Sequence, residues 1–254
     1  MNSIRILQSL LGGLACAGLL AVPLAAQMHP LAPAISAVGA LQLHHENTEP
    51  LATKGPLGAI HAHVCGFHFY SGDLKRALRV HHYCSHLNRD VLQCVIYDSD
   101  KPDARLIGIE YIISAKLFRQ LPEDEKKLWH SHRYEVMSGL LTAPDLGAGA
   151  EKILMQELVG TYGKTWHLWQ VDRGDQVPLG LPKLMMGFTA DDQADPAMVA
   201  ARDRDQAIDS AKLKAARTDL VILPIADGAD AWQTGPAFQI SDELLRQSPP
   251  APSR

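Results

Sequence analysis

The chain has 254 residues, only 6% of them aromatic, and charged side chains make up 20% with no strong excess of either sign. Its formal net charge is −4, and loss of the first 26 residues, whose only charge is Arg5, would make it −4 − 1 = −5. A mildly acidic chain without a dense Lys/Arg cluster has no field to gather nucleic acid. The GxSxG elbow, HExxH, GxGxxG and the P-loop are all missing, so these routes to hydrolysis, zinc proteolysis and nucleotide binding have no support. Beyond residue 26 no apolar run is long enough to span a bilayer. Cysteine is scarce too: Cys65, Cys84 and Cys94 follow Cys16, at spacings that match no CxxC zinc pattern.

Residues 1–26 carry the clearest local signal. Arg5 is a short positive start, an apolar run follows from Ile6 to Leu24, and Leu24-Ala25-Ala26 offers small residues for cleavage before Gln27. Cleavage suits Pro23 and the short run better than lipid attachment at Cys16 or an uncleaved anchor. The expectation is a signal peptide over 1–26, an arm over 27–60 rich in Ala, Pro and Leu, a folded domain over 61–240 and a disordered tail over 241–254. Export implies a location in the periplasm, at the outer membrane or outside the cell. An oxidising compartment permits one disulfide among the three cysteines and leaves one thiol. A free Cys84, flanked by His82 and His86, would instead be a candidate thiolate nucleophile.

Within the domain, Val91–Tyr97 and Ala104–Ile113 are apolar, β-branched runs separated by the turn-forming Asp98-Ser99-Asp100-Lys101-Pro102-Asp103, which predicts a hairpin. Ser114 can cap a helix, and Pro122 followed by Glu123, Asp124 and Glu125 suits a helix start. Residues 130–141 read as extended, Glu151–Tyr162 as a helix stopped by Gly163, and Thr165–Val171 as a strand. Residues 191–220 read as helical. Strands and helices mix without βαβ alternation, so the predicted class is α+β, a mainly antiparallel sheet with packed helices in a single domain.

Several blocks together form one pattern: His81-His82-Tyr83-Cys84-Ser85-His86-Leu87-Asn88, Tyr97-Asp98-Ser99-Asp100, Ala104-Arg105-Leu106-Ile107-Gly108-Ile109-Glu110-Tyr111, Leu128-Trp129-His130-Ser131-His132 and Trp169-Gln170-Val171-Asp172-Arg173-Gly174-Asp175. In this order they resemble the oil body-associated protein family, a domain of unknown function. The resemblance is strong from about residue 65 to 190 and weaker to about 240. It implies a link to seed lipid droplets in plant relatives and, for this chain, an exported bacterial member, because the N-terminal signal departs from the plant pattern. It implies no reaction and no catalytic residues. It does imply a lipid- or surface-associated module of the cell envelope, with a lipid or envelope component as partner.

The residues themselves offer another reading. Twelve histidines is a high count, and most lie between residues 61 and 132. His61 and His63 share a face if extended, His82 and His86 share one if helical, and His130 and His132 share a strand face. Imidazole pairs with a carboxylate suit a divalent transition metal. His130-x-His132-x-x-Glu135 comes near a cupin metal motif but with a shorter gap. The expected ligand set is His82, His130, His132 and Glu135, serving a metal-dependent enzyme. Glu135 has the wrong parity for the strand face and needs a bend to join. Convergence of these side chains on one point would favour metal, whereas burial of each against its own backbone partner would make them core histidines.

Overall fold

The computed structural model describes residues 55–246. The expected signal peptide, most of the arm and the end of the tail lie outside the described residues. Seven strands make up the sheet: β1 Ala62–Tyr70, β2 Asp73–Asn88, β3 Val91–Tyr97, β4 Leu106–Ser114, β5 His130–Ser131, β6 Thr161–His167 and β7 Lys183–Met186. All their pairings are antiparallel. Six of the strands run β4-β3-β2-β1-β7-β6, and β6 then pairs back onto β4. The sheet therefore closes into a barrel, with β5 a two-residue addition to β6.

This corrects the α+β expectation. The fold is a mainly β closed barrel, not a sheet with helices packed on a face. Pairing β6 back onto β4 joins two edges that an open sheet would leave exposed. The helices that remain are short. They are α1 Ala115–Phe118, α2 Glu123–Lys126, α3 Arg133–Met137, α4 Ala148–Leu158, α5 Pro196–Gln206 and α6 Ser210–Ala216.

The register explains what fills the barrel. Residues directly opposite one another share a face. One ring runs Val64, His82, Ile96, Gly108, His167, and the next runs Cys84, Cys94, Glu110, Thr165. Both point inward. Val64, Leu92 and Ile112 meet Val136 of α3, Leu141 and the α4 residues Met155 and Leu158 in one apolar cluster. The outward residues Phe67, Phe69 and Met186 are covered by Leu140, Phe188 and the α5 side chains Met198 and Val199. The interior thus holds a polar layer inside an apolar shell.

The predicted β3–β4 hairpin is present, and Ser114 caps α1 by accepting from the Leu117 N–H at 3.4 Å. Other readings fail locally. Only His130 and Ser131 of the 130–141 stretch are extended, and residues from Arg133 to Met137 are helical. Gly163 does not stop a helix; it lies in β6, and α4 ends at Leu158. α5 and α6 begin at Asp195 and Asp209, whose carboxylates accept from the Ala197 and Lys212 amides at 2.8 and 3.1 Å. These two helices place two buried arginines. Arg202 donates to the carbonyls of Leu140 and Gly139 at 2.7 and 3.0 Å, and Arg217 to those of Leu141 and Val136 at 2.9 and 2.6 Å. The turn after α3 is thereby held from two sides.

Candidate metal centre

Glu110 stands at the middle of the barrel, buried, on the inward face of β4. Four histidines surround it, two on each carboxylate oxygen. Oε1 lies 3.1 Å from His132 Nε2 and 3.4 Å from His130 Nε2. Oε2 lies 2.9 Å from His82 Nε2 and 3.9 Å from His68 Nε2. The donors of Glu110, His130 and His132 all lie within 4.8 Å of one another, as do those of His68, His82 and Glu110.

Local structure fixes each ring. β5 pairs His130 with Gly163 of β6, and the His132 N–H donates to the Thr161 carbonyl at 3.2 Å. Asp230 anchors this strand, accepting from the Ser131 amide at 2.8 Å and the Ser131 hydroxyl at 2.6 Å. Thr161 gives its hydroxyl proton to Leu158 O at 2.7 Å, so it accepts from His132 Nδ1 at 2.8 Å. His132 Nδ1 therefore carries the proton, and Nε2 faces Glu110. Metal-ligating histidines are held in this way, by a partner on the other nitrogen. His130 has no hydrogen-bond partner on either ring nitrogen. Burial pushes its pKa down to about 3, with Glu110 opposing and His132 and His82 adding to the fall. It is a neutral ring with its lone pair unused.

Burial alone would raise the Glu110 carboxyl, but the His132 and His82 rings 3.1 and 2.9 Å away outweigh it and hold the pKa well below the usual carboxylate range. Glu135 is the opposite case. Burial, then the charges of Glu110 and Asp230, push its carboxyl well above the ordinary value, and its Oε2 lies 3.9 Å from His130 Nε2. These neighbours favour its neutral form over the carboxylate beside the cluster.

Two glycines make room for this arrangement. A Cβ on Gly163 would overlap Glu110 Oε1 and come within 2.7 Å of His132 Nε2. A Cβ on Gly187 would strike the Glu135 carboxyl and come within 3.0 Å of His130 Cδ2. The cavity left among His68, His82, Glu110, His132 and Glu135 is about 10 Å³. That is about the room one water needs.

Of the four expected ligands, the structure brings His130 and His132 onto one oxygen of Glu110 and His82 onto the other. Glu135 lies beside them but in neither triad. Sequence reasoning missed Glu110 and His68. Glu110 had a signal: it is the one charge in the apolar run Leu106–Ile113. His86, on strand β2 and not on a helix, is exposed and meets His61 Nε2 at 2.9 Å instead. Cys84 is bonded to Cys94, so it offers no thiolate, and Cys65 is the buried free thiol.

A closed antiparallel barrel enclosing a His/Glu cluster is the class that fold and site define. By sequence, the chain belongs to the oil body-associated protein family. The family described as "Protein of unknown function (DUF1264)" matches residues 54–221. Oil body-associated protein 2A of Zea mays is 48% identical over 167 residues, covering 65% of this chain and 66% of the relative. Oil body-associated protein 1B of Arabidopsis thaliana is 49% identical over 138 residues, 54% of this chain and 57% of the relative. Oil body-associated protein 2B of Zea mays is 44% identical over 206 residues, 76% and 81%. The match spans less than two thirds of the first two relatives. No solved structure matches the chain. The relatives are associated with oil bodies of plants, which conflicts with a periplasmic, outer-membrane or secreted location, and that expectation is withdrawn. Among the described residues no helix is long and apolar enough to cross a membrane.

Proposed function

We propose that the protein is a metal-binding barrel that holds a divalent transition metal ion on His130, His132 and Glu110. The spacing of the donors carries this reading. Zinc-like ions bind imidazole nitrogen and carboxylate oxygen at about 2.0–2.2 Å, which puts neighbouring donors roughly 3–3.5 Å apart. Glu110 Oε1 stands 3.1 and 3.4 Å from the two imidazole nitrogens. The unpartnered nitrogens of His130 support it, because buried polar atoms without a partner cost free energy unless something occupies them. A bound ion would supply Lewis acidity. His132 is held by Thr161, β5 by Asp230, and the Glu135 carboxyl lies 3.9 Å from His130. Metal analysis of the full chain, purified without chelator from metal-supplemented cells, should find at least one equivalent. His132→Ala should lose the equivalent bound at this triad, with the fold retained. Wild-type protein without stoichiometric metal overturns the reading.

A second observation favours association with a lipid surface, in line with the names of the relatives. Val221, Ile222, Leu223 and Ile225 form an exposed apolar run, Val221 being 71% exposed. Gln156 holds this run outward, bonding the Val221 amide at 2.9 Å and its carbonyl at 3.0 Å. Apolar side chains fixed in water mark a docking surface. The protein should float with a triacylglycerol emulsion coated with phospholipid, and Val221→Ser with Leu223→Ser should reduce flotation severalfold. Equal flotation of variant and wild type would remove this run from the reading.

A further inference from the structure

We propose that the barrel holds a second divalent ion on the other oxygen of Glu110, bound by His82 and His68, so that Glu110 bridges two ions. This rests on the metal reading above and extends it.

The second triad has the same construction as the first. His82 Nδ1 lies 3.4 Å from the Val64 carbonyl, which can only accept, so Nδ1 carries the proton and Nε2 presents its lone pair. That lone pair lies 2.9 Å from Glu110 Oε2, yet Nε2 makes no aligned hydrogen bond. Two electron-rich atoms held this close in a buried space call for a cation between them. His68 Nε2 lies 3.9 Å from the same oxygen, and its Nδ1 meets His167 Nε2 at 3.3 Å. His167 Nδ1 and Thr165 Oγ1, both buried and inward on β6, have no partner either. The polar layer therefore continues past Glu110 with unmet donors and acceptors of its own.

The histidines divide into two triads that share only Glu110, with Oε1 turned to His130 and His132 and Oε2 to His82 and His68. A carboxylate used through both oxygens is the usual bridge of two-metal sites, whose ions stand about 3.5–4 Å apart. Repulsion between ions so close makes the second bind more weakly than the first.

The test is metal stoichiometry and magnetic coupling in the full chain. Protein saturated with Mn²⁺ should carry two equivalents, bound in two steps. Its electron paramagnetic resonance spectrum should show coupled ions in place of the six-line signal of an isolated ion. His68→Ala with His82→Ala should hold one equivalent and regain the six lines, and so should His130→Ala with His132→Ala. Saturation of the wild type at one uncoupled equivalent overturns this inference and leaves the single-ion reading standing. No bound metal overturns both. The wild-type stoichiometry and spectrum decide the question even where a double variant fails to fold.

Discussion

Gly163 of β6 stands where any side chain would collide with the Glu110 carboxylate. A Cβ there meets Glu110 Oε1 first and His132 Nε2 next, at 2.7 Å. Gly163→Ala is therefore expected to displace the carboxylate from its histidines. Overpacking of a buried site costs about 1–3 kcal/mol. Denaturant titration should show that loss, and the metal content should fall with it. An alanine variant with full stability and full metal would show that the carboxylate has space elsewhere.

Asp230 acts at one remove, through Ser131. Its carboxylate accepts from the Ser131 amide and hydroxyl at 2.8 and 2.6 Å, and its own backbone has φ +52°. Asp230→Ala removes both bonds and leaves a left-handed position to a residue that dislikes it. We expect a loss of about 1–3 kcal/mol, together with a roughly 10–100-fold fall in metal affinity of the kind seen when an outer partner is removed. Asp230→Asn tolerates the backbone and should do less harm to both. Competition with a chromophoric chelator reads the affinity, and identical affinities for all three proteins would count against a positioning role.

The Cys84–Cys94 bond joins two inward positions directly opposite on β2 and β3. It closes a loop with a sequence separation of 10. In the chain-entropy account a link of this size contributes about 2–3 kcal/mol. Replacing both residues by Ala should lower stability by at least that much, because two buried side chains are also truncated. Mass spectrometry of unreduced, alkylated native protein should show no label on Cys84 or Cys94. Labelling of either would mean that the bond is absent.

Acid should weaken the fold through His81. Burial, then the charge of His63, brings its pKa down to about 4, with Asp100 opposing and Arg79 and His82 adding to the fall. The unfolded chain binds a proton near pH 6.5, whereas the folded protein does so only near 4. Between these values the unfolded state holds more protons, so stability is full above about 6.5 and declines as pH falls towards 4. His81→Gln should flatten that part of the profile. A metal-free wild type whose denaturation midpoint is level from pH 7 to 4.5 would contradict this.

Some of this architecture was open to sequence reading, and the reasons are local. The β3–β4 hairpin showed because its turn is dense in Asp, Ser and Pro and its strands are β-branched. β1 and β2 did not show, because His61 to His86 carries polar side chains into the interior, and a buried polar strand breaks the expected alternation. Closure could not be read, since β4 meets β6 and β1 meets β7 across long stretches of chain. His130 and His132 were found by spacing, although the chain leaves the strand after Ser131. Glu135 drew notice by its place in a motif, while Glu110, alone among apolar neighbours, passed as part of a strand. Gly163 was read as a helix stop, when its lack of a side chain serves the neighbouring strand.

The closing of the barrel between β1 and β7 pairs Tyr70 with Met185. Contacts between such distant residues form late, because loop closure costs entropy before they give anything back. His68 on β1 and Glu110 on β4 share a cavity only once that seam is shut. An ion bound there would have to arrive either as the seam closes or through a transient opening of the wall. Metal exchange in the finished protein is consequently tied to the rate at which the barrel breathes, and a chelator in solution should draw the ion out no faster than the buried amides of β1 exchange their hydrogens.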